Sequence, residues 1–217
     1  MKAPLPLIKW SGSKRSQARE IVSYFPEKIN TYFEPFLGGG SILGTLSPSK
    51  AVCGDICASL IDIWNLAKMK PEFLSKEYEK RWSQLQQEGY LYYYKTRESF
   101  NKKQNPLDLL FISRTCVNGL IRFNKNGDFN NSFHHSRRGI QPFKFKKIIH
   151  NWSKIIRNYE FLTKDYKELT ARANKGDFIY MDPPYFNTRG RYFGVIDFEK
   201  FLNYLQGLNK RNIKFAL

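Results

Sequence analysis

Acidic residues are scarce in this chain: 19 Asp and Glu stand against 36 Lys and Arg in 217 residues, a formal net charge of +17. An excess of that size repels itself, so a polyanionic partner is the natural reading. Cysteine is scarcer still. Cys53, Cys57 and Cys116 form no Cys-x-x-Cys pair, and their odd number argues against a disulfide framework. His134 and His135, near Asp128, lack the spacing of a metal site, so no metal is expected. Long apolar runs are absent as well: no stretch approaches the roughly 18 residues of a membrane span, and Met1–Leu7 has no apolar leader core. These absences lead to the expectation of a soluble intracellular protein. No amphipathic basic helix dominates, and aromatics interleave with the charge, which favours nucleic acid over a membrane surface.

What is present begins with 41% hydrophobic residues, enough for a sizeable core. Helical periodicity runs over 14–25 and 59–69, and Ser41 opens a helix through Leu46. Strands are predicted over 31–34 and 51–55. From about Lys70 the character changes to a charged, tyrosine-rich stretch with helical spacing, then an apolar helix over 107–117. Ile121–Phe129 has an Asn-Gly centre between alternating flanks, a hairpin signal. A basic run including Arg137 and Arg138 leads into a helix over 146–158. Strand and helix then alternate again, with strands over 159–163, 177–181 and 213–217 and helices over 164–173 and 198–208. The fold class expected is α/β, a parallel sheet formed by 1–69 and 159–217, interrupted by a basic, mainly helical insertion over 70–158 that carries the hairpin.

The most telling segment is Asp182-Pro183-Pro184-Tyr185, directly after an apolar strand. Neither proline has an N–H, so ladder pairing must stop there and leave a rigid loop at a strand's carboxyl end. Ligands bind at that end in open α/β sheets. An exocyclic amine is a poor nucleophile because its lone pair is delocalised into the ring. The Asp182 carboxylate and the Pro183 carbonyl can hold both amino protons, while Tyr185 stacks on the ring. Such a reaction needs placement and local electrostatics more than a strong base, and a duplex base must leave the stack to arrive. Gly38-Gly39-Gly40, after Phe36, lets backbone approach a ligand closely, and Asp55 ends the next strand, where an acid can accept from a ribose diol. Lys9-Trp10-Ser11-Gly12-Ser13-Lys14 adds an aromatic ring and cations beside a glycine turn. In the insertion, Arg122 suits a bidentate contact to guanine and Asn118 a base or phosphate. Leu120 or Phe123 can wedge into a base stack.

Together these segments closely resemble the Dam-like class of DNA adenine-N6 methyltransferases. The resemblance rests on 9–14, on Phe-Glu-Pro-Phe-Leu-Gly-Gly-Gly-Ser at 33–41 and on Gly-Asp-Ile at 54–56. It continues through Asn-Gly-Leu-Ile-Arg-Phe-Asn at 118–124, Gly-Asp-Phe-Asn at 127–130 and Asp-Pro-Pro-Tyr at 182–185. It implies a Rossmann-like methyltransferase sheet, S-adenosylmethionine as methyl donor, and transfer to N6 of an adenine extruded from double-stranded DNA. By resemblance, Trp10, Lys14, Phe36, Gly38, Gly40, Asp55, Asp165, Tyr166 and Asp182 serve the cofactor. Asp182, Pro183 and Tyr185 serve the target base. Lys9, Asn118, Leu120, Arg122, Arg137 and Arg138 serve the DNA, with the insertion as target-recognition domain. A restriction–modification system, phage or mobile element is the expected setting, in a prokaryotic cytoplasm.

The sequence departs from that class in two places. Members that methylate GATC usually carry an Asn-x-Pro-Phe-Gly-like segment after the hairpin, whereas here Asn131–Gly139 reads otherwise, so another target is expected. Members also normally continue past a strand like 213–217, which gives the expectation of a sheet partly truncated at the C-terminus: a truncated product, a fragment, or a half completed by another chain. Two alternatives stay open: a catalytically silent DNA-binding remnant, and a cytosine-N4 methyltransferase.

Overall fold

In the computed structural model, which describes residues 3–136, 138–184 and 196–217, strand and helix alternate at both ends of the chain around a helical middle. The first part comprises α1 (Ala18–Ser23), β1 (Tyr32–Glu34), α2 (Ser41–Leu46), β2 (Ala51–Asp55) and α3 (Ala58–Met69). The middle holds α4 (Pro71–Glu88), α5 (Tyr90–Lys103), α6 (Pro106–Thr115) and α7 (Pro142–Ile155). The last part is β3 (Glu160–Thr163), α8 (Tyr166–Thr170), β4 (Phe178–Tyr180), α9 (Phe198–Lys210) and β5 (Lys214–Ala216). Starts and stops follow local chemistry. Helices α4, α6 and α7 open on proline, whose missing N–H costs nothing in a first turn. Asn105 caps α6 by accepting from the Leu107 amide at 2.9 Å.

The strands form one sheet in the order β3-β2-β1-β4-β5, every neighbouring pair parallel. Side chains alternate between its faces with the period of two that a strand imposes. Tyr32, Cys53, Phe178 and Tyr180 face a large core shared with α2, α3 and the middle helices. Phe33, Val52, Ile179 and Met181 face a smaller core closed by α8 and α9. Helices thus cover both faces, the arrangement parallel sheets require because both faces are apolar. The chain runs outward from β1 through β2 to β3, then returns to the other side of β1 for β4 and β5. The order therefore reverses between β1 and β4, a topological switch point.

Aromatic packing ties the middle helices to the sheet. Trp64 of α3 meets Trp152 of α7 edge-on at 4.9 Å and stacks on Phe161 of β3 at 5.6 Å. Arg114 of α6 is buried; it donates to the carbonyls of Pro6 and Leu7, and its guanidinium lies 4.2 Å from the centre of the Phe145 ring. All three cysteines are free and buried. Among the described residues, no helix is long and apolar enough to cross a membrane.

The predicted hairpin exists as a reversal rather than as strands. Its arms meet only in isolated antiparallel bridges, Phe123 to Phe129 and, further from the turn, Cys116 to Phe133, with Asn124 N–H bonded to the Asp128 carbonyl at 2.8 Å and Asn130 N–H to the Arg122 carbonyl at 3.0 Å. The Asn124 carboxamide oxygen accepts from the amides of Asn126 and Asp128, an Asx turn that takes over the role of a longer ladder. Phe123 is buried, so it is core and not a base wedge; the alternation of the arm turns it inward.

A close approach makes one position sensitive. A Cβ on Gly44 of α2 would lie 2.5 Å from Trp152 Cη2 and 2.8 Å from Pro4 Cγ. Trp152 cannot move aside, being buried and donating to the Leu5 carbonyl at 2.7 Å. Gly44→Ala should therefore lose about 1–3 kcal/mol to overpacking, despite the roughly 1 kcal/mol that alanine gains in helix propensity. Urea unfolding at constant m-value measures the difference, and an unchanged or higher midpoint contradicts it.

Candidate active site

The carboxyl ends of β1 and β4 lie side by side at the switch point, and neither sequence can extend its strand. After β1, Pro35 interrupts and the chain enters Gly38-Gly39-Gly40. Gly38 (φ +47°) and Gly40 (φ +64°) take left-handed conformations that admit glycine. A Cβ on Gly38 would sit 2.7 Å from Trp10 Cδ1, so the indole rests directly on the turn. Trp64 Nε1 donates to the Gly38 carbonyl at 3.2 Å from below. After β4, Asp182-Pro183-Pro184 ends the pairing.

Between these ends lies a cavity of about 350 Å³. Trp10, Lys14, Phe36, Gly38, Gly40, Asp55, Asp165, Tyr166 and Asp182, chosen from sequence for this site, all line it. Pro184 lines it too. Tyr185 lies outside the described residues. The walls also contain residues that the sequence reading passed over: Glu34, Ile56, Lys167, Ile196, Asp197 and Lys200. For Glu34 a signal existed, because a residue two places after Tyr32 in a strand must share its face.

The acids differ in environment. Asp55 accepts from the Gly38 amide at 3.3 Å and from the Cys57 amide at 3.1 Å. Burial pushes its carboxyl up to about 6, against the pull of those amides. Glu34 is buried deeper, and burial pushes it up to about 8, although the Tyr32 hydroxyl donates to its Oε2 at 2.9 Å. Glu34 is thus a neutral acid over much of the physiological range. Asp182 pairs with the Lys14 ammonium, which also reaches the Gly12 carbonyl at 3.4 Å.

Aromatic rings form the remaining wall. Phe36 and Tyr166 stack at 5.8 Å, and Tyr166 is set edge-on by Phe201 and Tyr204 of α9 and the residues around it. Asp165 caps α8 by accepting from the amides of Lys167 and Glu168, so one carboxylate oxygen is engaged in the fold itself. Beside Asp55, Ile56 stays 45% exposed, an apolar surface for a flat ring. Glycine backbone, a buried acid beside it and an apolar ledge suit a nucleoside. The Lys14–Asp182 side supplies charge for the polar end of a ligand.

The residues expected to meet DNA sit apart from the cavity. Asn118, Leu120 and Arg122 are exposed, while the intervening Gly119, Ile121 and Phe123 are buried. The alternation turns the first set to one side. Asn131 braces the segment, donating to the carbonyls of Val117 and Leu120 at 2.9 and 2.8 Å. Arg122 Nε donates to Asn130 Oδ1 at 2.9 Å, which orients the guanidinium. Lys9 crosses this segment at Gly119, and Arg138 is exposed beyond it. Arg137 lies outside the described residues.

Comparison with known proteins places the chain in a family. Residues 10–209 match the family model of D12 class N6 adenine-specific DNA methyltransferases. The chain is 30% identical to the type II methyltransferase M.MjaIII of Methanocaldococcus jannaschii, over 98% of this chain and 83% of that protein. It is equally similar, at 30%, to the type II methyltransferase M1.LlaDCHI of Lactococcus lactis subsp. cremoris, over 83% of this chain and 65% of the relative. DNA adenine methylase of Escherichia coli K12 is also 30% identical, over 85% of this chain and 66% of its own length. The chain thus spans about two thirds of the length of the last two relatives. With a match that runs from Trp10 in the cavity wall to the end of α9, the chain belongs to the D12 class of N6 adenine-specific DNA methyltransferases.

Proposed function

We propose that this protein transfers a methyl group from S-adenosylmethionine to N6 of an adenine extruded from double-stranded DNA. The observation that carries the reading is the meeting of Asp182 with the glycine turn and Asp55 in one cavity at the switch point. S-adenosylmethionine supplies an electrophilic methyl group on a sulfonium. Asp55 is the acceptor for its ribose hydroxyls, Gly38 and Gly40 admit it to the backbone, and Trp10, Lys14, Phe36, Asp165 and Tyr166 complete its surroundings. Asp182 and the Pro183 carbonyl hold the amino protons of the target base, and by resemblance Tyr185 stacks on its ring. The amine is presented for in-line attack without a strong base.

Residues 70–158 are the target-recognition part in this reading. Asn118, Leu120 and Arg122 face the DNA bases or their step, and Lys9, Arg137 and Arg138 the backbone. The net charge of +17 supports such a partner. A second chain along β5, which lies at the edge of the sheet, belongs to the same proposal, as does action in the cytoplasm, where prokaryotic DNA resides.

Incubation with labelled S-adenosylmethionine and mixed-sequence duplex DNA, followed by mapping of the modified base, tests the assignment. Label on adenine N6 is expected. Label on cytosine favours the N4 alternative, and salt-sensitive binding without transfer favours the remnant. Asp182→Ala should reduce transfer at least roughly 10²-fold while DNA binding persists; undiminished transfer removes Asp182 from the chemistry. Arg122→Ala should cost about 1–3 kcal/mol of discrimination at one base pair, read by sequencing the methylated sites, and unaltered site choice excludes it from recognition.

Asp55 gives a pH dependence of known sign. Its carboxyl is raised to about 6, so it accepts from ribose above that pH and protonates below it. Affinity for S-adenosylhomocysteine, measured by calorimetry, should fall by roughly tenfold per pH unit below that point. Asp55→Asn should flatten the profile, and a flat wild-type curve from pH 7 to 5 contradicts the role.

A further inference from the structure

The cofactor-side strap 9–14 and the reading segment 117–123 touch at a contact that neither the cavity nor the DNA-facing residues account for. Ser11 Oγ donates to the Ile121 carbonyl at 2.7 Å and accepts from the Ile121 amide at 2.8 Å, across 110 positions of chain. One hydroxyl thereby satisfies both backbone polar groups of a single residue, as a paired strand would. Two residues earlier on each segment, Lys9 lies against Gly119: a Cβ there would fall 2.3 Å from Lys9 Cδ, and Gly119 has φ +62°. The contacts run in step, 9 with 119 and 11 with 121.

Ser11 stands at a junction. On one side it lines the cavity between Trp10, whose ring lies on Gly38, and Lys14, which pairs with Asp182. On the other it holds Ile121, which is 1% exposed and is flanked by the outward-facing Leu120 and Arg122. Slippage of the reading segment by one residue would turn those two side chains inward and bring Ile121 out.

We propose that Ser11 is a positioning residue that locks the register of the DNA-reading segment to the methyl-transfer pocket, an inference that rests on the methyltransferase reading above. Ser11 acts through the reading segment rather than on the reacting atoms. It sets where Leu120 and Arg122 stand relative to Asp182, and so where a base extruded at a recognised site arrives. The hydroxyl is what matters: alanine leaves the Ile121 amide and carbonyl without their partner in a half-buried place, whereas threonine keeps a donor and acceptor at the same position.

The test compares wild type, Ser11→Ala and Ser11→Thr in single-turnover methylation of unmethylated plasmid DNA with labelled S-adenosylmethionine, with every modified adenine mapped by sequencing. Ser11→Ala should be roughly tenfold slower at the preferred site and should lose several-fold of the ratio between preferred and other sites. The unfolding midpoint should fall only by what the lost pair of hydrogen bonds contributes, S-adenosylhomocysteine affinity should change far less than the site ratio, and Ser11→Thr should recover most of both losses. A merely structural role would lower affinity and stability together and leave the site ratio intact. Retained rate and site ratio in Ser11→Ala overturn the inference alone. Equal losses in alanine and threonine variants, or a parallel fall in cofactor affinity, also overturn it. A wild-type protein that transfers no methyl group overturns the methyltransferase reading and this inference with it.

Discussion

Parallel pairing of β1 with β4, Tyr32 against Phe178 and Phe33 against Ile179, brings two strand ends to one level although the whole helical middle of the chain lies between them. Each end is followed by sequence that cannot continue a ladder, a proline and glycines after β1 and a proline pair after β4. Chains that leave a sheet at the same height, toward helices on opposite faces, open a crevice between them. Every cavity residue depends on that pairing. Glu34, Gly38 and Asp55 come from one side of it and Asp182 from the other, and the two cores differ because the strands are covered by α2 and α3 on one face and by α8 and α9 on the other.

Charge is divided between surface and cavity. The chain carries 19 acids among 36 Lys and Arg, yet Glu34, Asp55, Asp165, Asp182 and Asp197 line the cavity beside Lys14, Lys167 and Lys200. The basic excess lies elsewhere, on surfaces that attract a phosphate backbone. With Glu34 neutral and Asp182 paired to Lys14, the lining holds charges of both signs in near balance.

Much of this was legible in the residues because the deciding signals are local. β2 and α2 have the boundaries that their apolar runs and flanking Ser41 and Asp55 indicate. The proline pair after β4 marks a strand end whatever the tertiary context. Helix α1 is shorter than its periodicity suggests, since 15–17 form turns before Ala18. The Asn-Gly reversal was located, but the alternation around it did not become a ladder: Asn124 bonds within the turn and Phe123 and Phe129 pack into the core. The wall residues Lys167, Ile196, Asp197 and Lys200 were missed because only the folded sheet brings α8 and the start of α9 to the cavity. The Ser11–Ile121 contact had no sequence signature at all, since its partners are backbone atoms.

The alternation over 118–123 bears on which positions of that segment tolerate change. Asn118, Leu120 and Arg122 face outward, yet Leu120 alone of the three can be exchanged freely: Asn118 holds a left-handed backbone (φ +57°) that few residues adopt, and Arg122 donates to Asn130 Oδ1. Gly119 cannot, because Lys9 fills the space a side chain would take, and Ile121 and Phe123 are committed to the core. In the proposed reading, the outward set carries what can change and the inward set supplies the frame. A mutational library confined to the outward positions varies the surface of the segment, whereas one that includes the inward set samples mostly unfolded protein.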